Sequence, residues 1–254
     1  MLQMFDLTGS TALCTGATSG IGRRMAWALS QAGADVVLVG RQEPALNDAV
    51  EEINAAGKGR AAGFRADLSD RGSMDDVAAK ASGHFGPPSI LVNAAGVNLR
   101  QPADQITPET WDGTLNINLT VPFFLAQACV SHMRRAGWGK IINIASLQSF
   151  RAFANSVAYG ASKGGITQLT RAMAEAWSRD GISANAIAPG FFPTALTEKV
   201  FADAELAEHN ARMTAVGRNG ELADLDGITV FLASHASDYI SGQVISVDGG
   251  YTAK

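Results

Sequence analysis

The sequence is poor in the residues that staple, chelate or anchor a chain. Its 254 residues include only two cysteines, Cys14 and Cys129. Each lies in an apolar run, which suits a small core residue and gives no disulfide framework to expect. Four histidines are scattered; with no His-x-x-x-His or Cys-x-x-Cys spacing, no metal site is expected. No apolar run reaches the ~18 residues that span a bilayer. Thr11-Ala12-Leu13-Cys14 already reads as a strand, leaving no room for a leader, so a cytoplasmic protein without a membrane partner is expected. Charge is sparse: 17% of residues are charged and the net charge is −4, which offers no basic field to nucleic acid. Hydrophobic residues, by contrast, make up 46%, enough for a sizeable core and against disorder.

Those hydrophobic residues fall into an alternating pattern. Short β-rich runs near 11–15, 35–39, 61–66, 89–93, 140–145, 183–188 and 243–247 read as strands. Between them, helical periodicity covers 20–32, 43–56, 70–83, 107–135, 156–180 and 221–234. Such alternation argues an α/β fold with a parallel sheet and helices on both faces. Right-handed crossovers then make the seven strands a doubly wound, Rossmann-like sheet. No linker, repeat or low-complexity segment interrupts the pattern, so residues 1–254 are expected to form one domain.

Several stretches carry chemistry. The first strand runs into Thr15-Gly16-Ala17-Thr18-Ser19-Gly20-Ile21-Gly22 and a helix start. Glycines allow a tight turn and close approach to a ligand, and the helix amides favour a pyrophosphate; a plain turn is the alternative. The second strand ends in Gly40-Arg41. An acid there would select NAD through the ribose hydroxyls, whereas an arginine can hold the 2′-phosphate of NADP. NADP(H) is therefore favoured, with NAD(H) as the alternative. After the third strand, Asp67-Leu68 could face an adenine, or Asp67 could cap the next helix. The fourth strand leads into Asn93-Ala94-Ala95-Gly96, small enough to run beside a flat ligand. Thr107-Pro108-Glu109 starts a helix that carries Asn116 and Asn118 into an apolar run. A buried asparagine must bond something, a held water included. Tyr159 and Lys163 stand four apart and share a helical face. A lysine ammonium beside a phenol favours the phenolate, making the pair a plausible general acid/base. Ser146 ends the run Ile141-Ile142-Asn143-Ile144-Ala145, where its hydroxyl could reach the same substrate oxygen. Tyr-x-x-x-Lys alone also occurs in helices that catalyse nothing.

With these pieces assembled, the chain resembles the short-chain dehydrogenase/reductase family over nearly its whole length. The markers stand in family order: 15–22, 93–96, Asn118 before Leu119, Ser146, Tyr159 with Lys163, Pro189-Gly190 with Thr194, and Val247-Asp248-Gly249-Gly250. The resemblance implies a nicotinamide-dependent interconversion of a secondary alcohol and a ketone. Tyr159 would pass the proton, Lys163 would lower its pKa and bond the nicotinamide ribose, and Ser146 would orient the substrate oxygen. Asn118 would hold a water linking Lys163 to solvent. Gly16, Ser19, Gly20, Ile21, Gly22, Arg41, Asp67, Leu68, Asn93, Ala94 and Gly96 would contact the cofactor. Pro189, Gly190, Phe192 and Thr194 would line its nicotinamide. Ser19 stands where many NADP-preferring members carry a basic residue, Ala94 replaces a frequent asparagine, and Phe191-Phe192-Pro193 is bulkier than usual.

Within the family, the stretches around Arg100, 144–150, 186–190 and the ending 248–254 resemble the dehydrogenases of gluconate and related keto-deoxy sugar acids. Arg100 could grip a carboxylate in a two-pronged bond, or remain a solvated loop charge. Gln148 could bond a substrate hydroxyl and Arg151 could add charge. The segment 191–216, with mixed charge among apolar residues, suits a lid. The alternatives are a 3-oxoacyl-(carrier protein) reductase, for which Arg134, Arg135 and Lys140 form only a small basic cluster, and a non-catalytic dinucleotide-binding regulator. The long helices near 107–135 and 156–180 and the last strand resemble family assembly surfaces, so a homotetramer is expected.

Overall fold

The computed structural model describes residues 2–56 and 58–254; Met1 and Gly57 of the expected 1–254 unit lie outside them. In chain order the strands are β1 (Thr11–Thr15), β2 (Asp35–Gly40), β3 (Ala61–Arg65), β4 (Ile90–Asn93), β5 (Gly139–Ile144), β6 (Ile182–Pro189) and β7 (Val244–Val247). The helices are α1 (Gly20–Gln31), α2 (Glu43–Ala56), α3 (Met74–Phe85), α4 (Pro108–Leu115), α5 (Val121–Ala136), α6 (Val157–Trp177), α7 (Glu198–Phe201), α8 (Ala204–Met213) and α9 (Asp226–Ala233). Every pairing is parallel, in the order β3-β2-β1-β4-β5-β6-β7.

The central strands are apolar throughout because both faces are covered. Cys14, Leu38, Val92 and Ile142 pack into one core with α1, α2 and α9. Leu13, Val37, Leu91 and Ile141, each one residue before, pack into a second with α3, α5 and α6. The two cysteines are thereby separated by the sheet, Cys14 in the first core and Cys129 in the second.

Expected and observed elements differ at their ends. The pattern at 70–83 begins as a tight turn, Arg71–Ser73, capped by the Asp70 carboxylate on Gly72 N–H, before α3 proper. The pattern at 156–180 ends at Trp177, where a further tight turn leads to left-handed Gly181. The pattern at 221–234 likewise opens as a turn, Leu222–Leu225. Thr107 and Thr110 form a capping box over Pro108 at the start of α4. Between α4 and α5 lies one wide π turn, Asn116–Thr120. An 18-residue window of the run Pro108–Ala136 has a mean hydropathy of 1.2, and half of that window is buried in the fold.

The order reverses beside β1, because β1 is followed outward by β2 on one side and β4 on the other. The loops leaving β1 and β4 diverge there and open a crevice at the carboxyl ends of the strands.

Candidate active site

A cleft of about 490 Å³ occupies that crevice. Its floor is the glycine loop. Gly16 has φ +63°, and a Cβ there would lie 2.7 Å from Ala95 N. A Cβ on Gly22 would meet Gly16 O at 2.4 Å. Only glycine lets β1, the loop and the 94–96 backbone close this tightly. Ser19 precedes α1 but its side chain makes no capping bond. The first amides of α1 are therefore left for a ligand, and the helix dipole favours an anion. Gly16, Ser19, Gly20, Ile21 and Gly22 all line the cleft, as do Arg41, Asp67, Leu68, Ala94, Gly96, Pro189, Gly190, Phe192 and Thr194. A cradle of bare glycines and free helix amides fits the pyrophosphate of a nicotinamide dinucleotide.

Asn93 is the exception among the expected cofactor contacts. Its side chain is buried inside the sheet, where its amide donates to Asn143 Oδ1 at 2.9 Å and to Pro122 O at 3.3 Å. Asn143 in turn donates to Thr170 Oγ1 at 3.0 Å. This polar chain ties β4 and β5 to α6, behind the cleft wall. Asp67 meets one of its two expected settings. It lines the cleft, while its carboxylate accepts from Ser69 N–H in a local turn instead of capping a helix.

Ser146 and Tyr159 meet across the cleft from different elements. Ser146 leaves β5 and begins the tight turn Leu147–Ser149, with its hydroxyl accepting from Gln148 N–H at 3.1 Å. Ser149 Oγ donates to Lys163 O at 2.6 Å, locking that turn to α6. Burial pushes the Tyr159 phenol above its ordinary value of 10.0, against the Ser146 hydroxyl and the Arg100 charge, which both pull it down. In the free protein the net direction is upward, opposite to the lowering expected from Lys163. Lys163 Nζ sits 5.5 Å from the Tyr159 ring centroid and donates to Ile144 O at 2.6 Å. Its own burial lowers its pKa from 10.5 to about 8. Enclosure pushes each of the two groups toward its neutral form, because a buried charge loses its solvation.

Asn118 is buried in the π turn, and both of its amide protons are engaged. Its nitrogen donates to Val97 O at 2.9 Å and to Ser162 Oγ at 3.0 Å, and its oxygen accepts from Val97 N–H at 2.9 Å. The two amide protons are taken, and Oδ1, which accepts one bond, keeps a second lone pair on the side where Lys163 Nζ also approaches Gly96. The side chain also pins the 94–97 loop to α6. Asn116 points the other way and joins Arg71 Nε and Ser69 O.

On the substrate side, Arg100 and Gln148 line the cleft. Arg151 does not. It donates to Lys254 O at 2.6 Å and lies over the Tyr251 ring, which draws it toward the C-terminal segment. Spacing of three from Gln148 could not foretell this, since the competing partner is about a hundred residues away. Asn98 and Phe153 line the cleft without having been singled out. Asn98, two residues before Arg100, shared the same loop signal. Phe153 had none: its place follows from packing against Phe191 and Tyr251, with ring centroids 6.1 and 6.5 Å away. Gly190 closes that wall, because a Cβ there would lie 2.8 Å from Asp248 Cα. The Asp248 carboxylate accepts from Gly250 N–H and from Thr252, which explains the Asp-Gly-Gly marker as a structural turn.

Comparison with known proteins agrees with this geometry. A family model described as Enoyl-(Acyl carrier protein) reductase matches residues 16–252. Gluconate 5-dehydrogenase of Gluconobacter oxydans (strain 621H) is 40% identical over 251 residues, covering 98% of this chain and 97% of that protein. The 2-dehydro-3-deoxy-D-gluconate 5-dehydrogenase of Dickeya dadantii (strain 3937) is 39% identical over 255 residues and 100% of both chains. The crystal structure of a gluconate 5-dehydrogenase from Burkholderia cenocepacia J2315, in complex with NADP and tartrate, superposes with a TM-score of 0.93. It is 37% identical, and the match covers 100% of this chain and 99% of that one.

Proposed function

Because the chain belongs to the short-chain dehydrogenase/reductase family, we propose that it interconverts a sugar acid and its keto form with NADP(H). It is an NAD(P)-dependent oxidoreductase acting on CH–OH donors. When bound, the nicotinamide supplies the hydride acceptor or donor. Tyr159 takes the proton from the substrate hydroxyl in oxidation and returns it in reduction, and Ser146 holds the same oxygen. Lys163 places a positive charge beside the phenol. Asn118 positions the 94–97 loop and holds a water that links Lys163 to solvent. Residues 1–254 act as one catalytic unit, with α7 and α8 in the 191–216 segment as a lid over the substrate.

One observation carries the sugar-acid reading. Arg100 lines the cleft close enough for its charge to act on the Tyr159 phenol. A planar guanidinium there suits a carboxylate a few bonds from the reacting carbinol. The relatives named for gluconate and 2-dehydro-3-deoxy-D-gluconate support the same class. A carrier-protein reductase finds less support, since its expected basic cluster is not a patch. Lys140 is buried and paired with Asp238, and Arg134 is paired with Asp180.

The test is initial rates with NADP and NAD over gluconate-type acids and matched neutral polyols. Arg100→Ala is expected to raise KM for the acids about 10- to 100-fold, the worth of a charge-assisted two-pronged bond, and to leave the polyols unchanged. Wild-type activity confined to neutral polyols or keto-thioesters would overturn the reading. We also propose a cytoplasmic homotetramer, supported by the apolar side chains exposed on α5 (Phe124) and α6 (Val157). Light scattering should give the mass of four 26.5 kDa chains; a monomeric mass would refute it.

A further inference from the structure

Half of the twelve arginines outside the cleft are neutralised by an ion pair among the described residues. Six of them, Arg23, Arg24, Arg60, Arg134, Arg212 and Arg218, each sit on a carboxylate. Arg41 and Arg65 have no ion pair and no side-chain hydrogen bond among the described residues. Both stand where β2 and β3 end: Arg41 directly follows Gly40 and lines the cleft, and Arg65 is the register partner of Gly40.

The register fixes where Arg65 points. Partners opposite each other on adjacent strands share a face of the sheet. On β2, that face looks at the glycine loop: a Cβ on Gly40 would lie 2.3 Å from Thr18 Cγ2. On β3, Gly63 two residues earlier faces Leu46 and Val50 of α2. Arg65 therefore emerges on the α2 side, beside the bare position of Gly40. Asp67 senses both cations. Its bonds from Ser69 hold its carboxyl low, and the charges of Arg41 and Arg65 lower it further.

We propose that Arg65 is a second guanidinium for the ribose 2′-phosphate of the cofactor, closing with Arg41 on the dianion across the empty side-chain position of Gly40. This rests on the NADP(H) reading above. Two planar forks from adjacent strands match a phosphate with three terminal oxygens better than one. Gly40 serves the clamp twice. It leaves the slot open, and the Thr18 methyl fills the direction that a carboxylate at position 40 would take to reach ribose hydroxyls.

The test is binding, read by nucleotide fluorescence with NADPH and NADH and by competition with 2′,5′-ADP against 5′-AMP. Arg65→Met keeps the apolar stem. It is expected to weaken NADPH and 2′,5′-ADP about tenfold, the worth of one charged hydrogen bond, and to leave NADH and 5′-AMP unchanged. Arg41→Met should do the same, and the double variant should bind the two cofactors alike. Gly40→Asp should bind neither cofactor well, and adding Thr18→Gly should restore NADH. If Arg65→Met shifts both cofactors equally, or neither, the clamp is wrong while the NADP(H) reading stands. If the wild-type protein binds NADH as tightly as NADPH, that reading and the clamp fall together.

Discussion

Tyr159→Phe is expected to lower kcat by about 10²- to 10⁴-fold, the usual contribution of a positioned general acid or base. NADPH affinity should change by no more than about twofold, since the substitution removes one hydroxyl and keeps the ring that packs beside Lys163. Single-turnover rates with a sugar acid, together with a fluorescence titration of NADPH, check both halves. A variant that turns over normally would mean another group carries the proton. A variant that also loses NADPH would mean Tyr159 is part of the cofactor site and not chiefly an acid/base.

The same residue sets a direction for the pH profile. Burial holds the Tyr159 phenol above 10.0, so it is protonated at neutral pH and ready to donate. Ketone reduction should be flat through neutrality and fall only in the alkaline range. Alcohol oxidation needs the phenolate and should rise steadily with pH. Opposite slopes in the two directions, both lost in Tyr159→Phe, are the expected signature.

Lys163→Met is expected to abolish turnover and yet stabilise the free protein. Lys163 is enclosed, with one carbonyl, Ile144 O, as its hydrogen-bond partner, and its pKa falls from 10.5 to about 8. Below pH 8 the folded protein carries the charge at the expense of its stability. Between 8 and 10.5 the unfolded chain binds the proton that the folded chain has lost, so stability rises with pH there. At pH 7 the difference of two to three pKa units corresponds to about 3 kcal/mol in favour of a neutral isostere. Against this stands about 1 kcal/mol for the lost bond to Ile144 O. A net gain of about 2 kcal/mol raises Tm by about 4–8 °C for a chain of this size. The gain should shrink as pH rises above 8 and turn into a loss of about 1 kcal/mol above 10.5, where the lysine is neutral in both states and only the bond to Ile144 O counts. Calorimetry at pH 7 and pH 10 decides it: a lower Tm at pH 7 would show that the ammonium is better solvated than its burial implies.

The strands, the glycine loop and the Tyr159–Lys163 pair were legible because each depends on residues near one another in the chain. A buried parallel strand announces itself as an apolar run, and a helical pair four apart shares a face whatever surrounds it. Thr15-Gly16 through Gly22 likewise read as an anion loop, since strand, glycines and helix start are contiguous. Element ends were less legible. At Arg71–Ser73 and Leu222–Leu225 the residues tolerate a tight turn as well as an α-helix, and only the backbone bonds made to the rest of the fold choose between them.

Elsewhere the same residue types found partners far along the chain. Asn93 carries a family marker, yet its amide turns inward because Asn143, fifty residues on, offers an acceptor inside the sheet. Arg151 stands three residues from Gln148 but leaves the cleft for Lys254 O. Asn118 gives both amide protons to Val97 and Ser162, partners that its place before Leu119 did not indicate. The desolvation that lifts Tyr159 and lowers Lys163 depends on how fully α6 and the turn after β5 enclose them.

By itself, then, the sequence determined the doubly wound α/β sheet and its anion loop, and the family resemblance named the residues for hydride-linked proton transfer. The sheet and the loop follow from periodicity and spacing, which short-range sterics and hydrogen bonding enforce. Tertiary structure alone decided which polar side chains reach the cleft, which charges remain unpaired, and that Arg65 stands opposite Gly40. Those outcomes are competitions among partners brought together by strand register and helix packing, and no local pattern records who wins them.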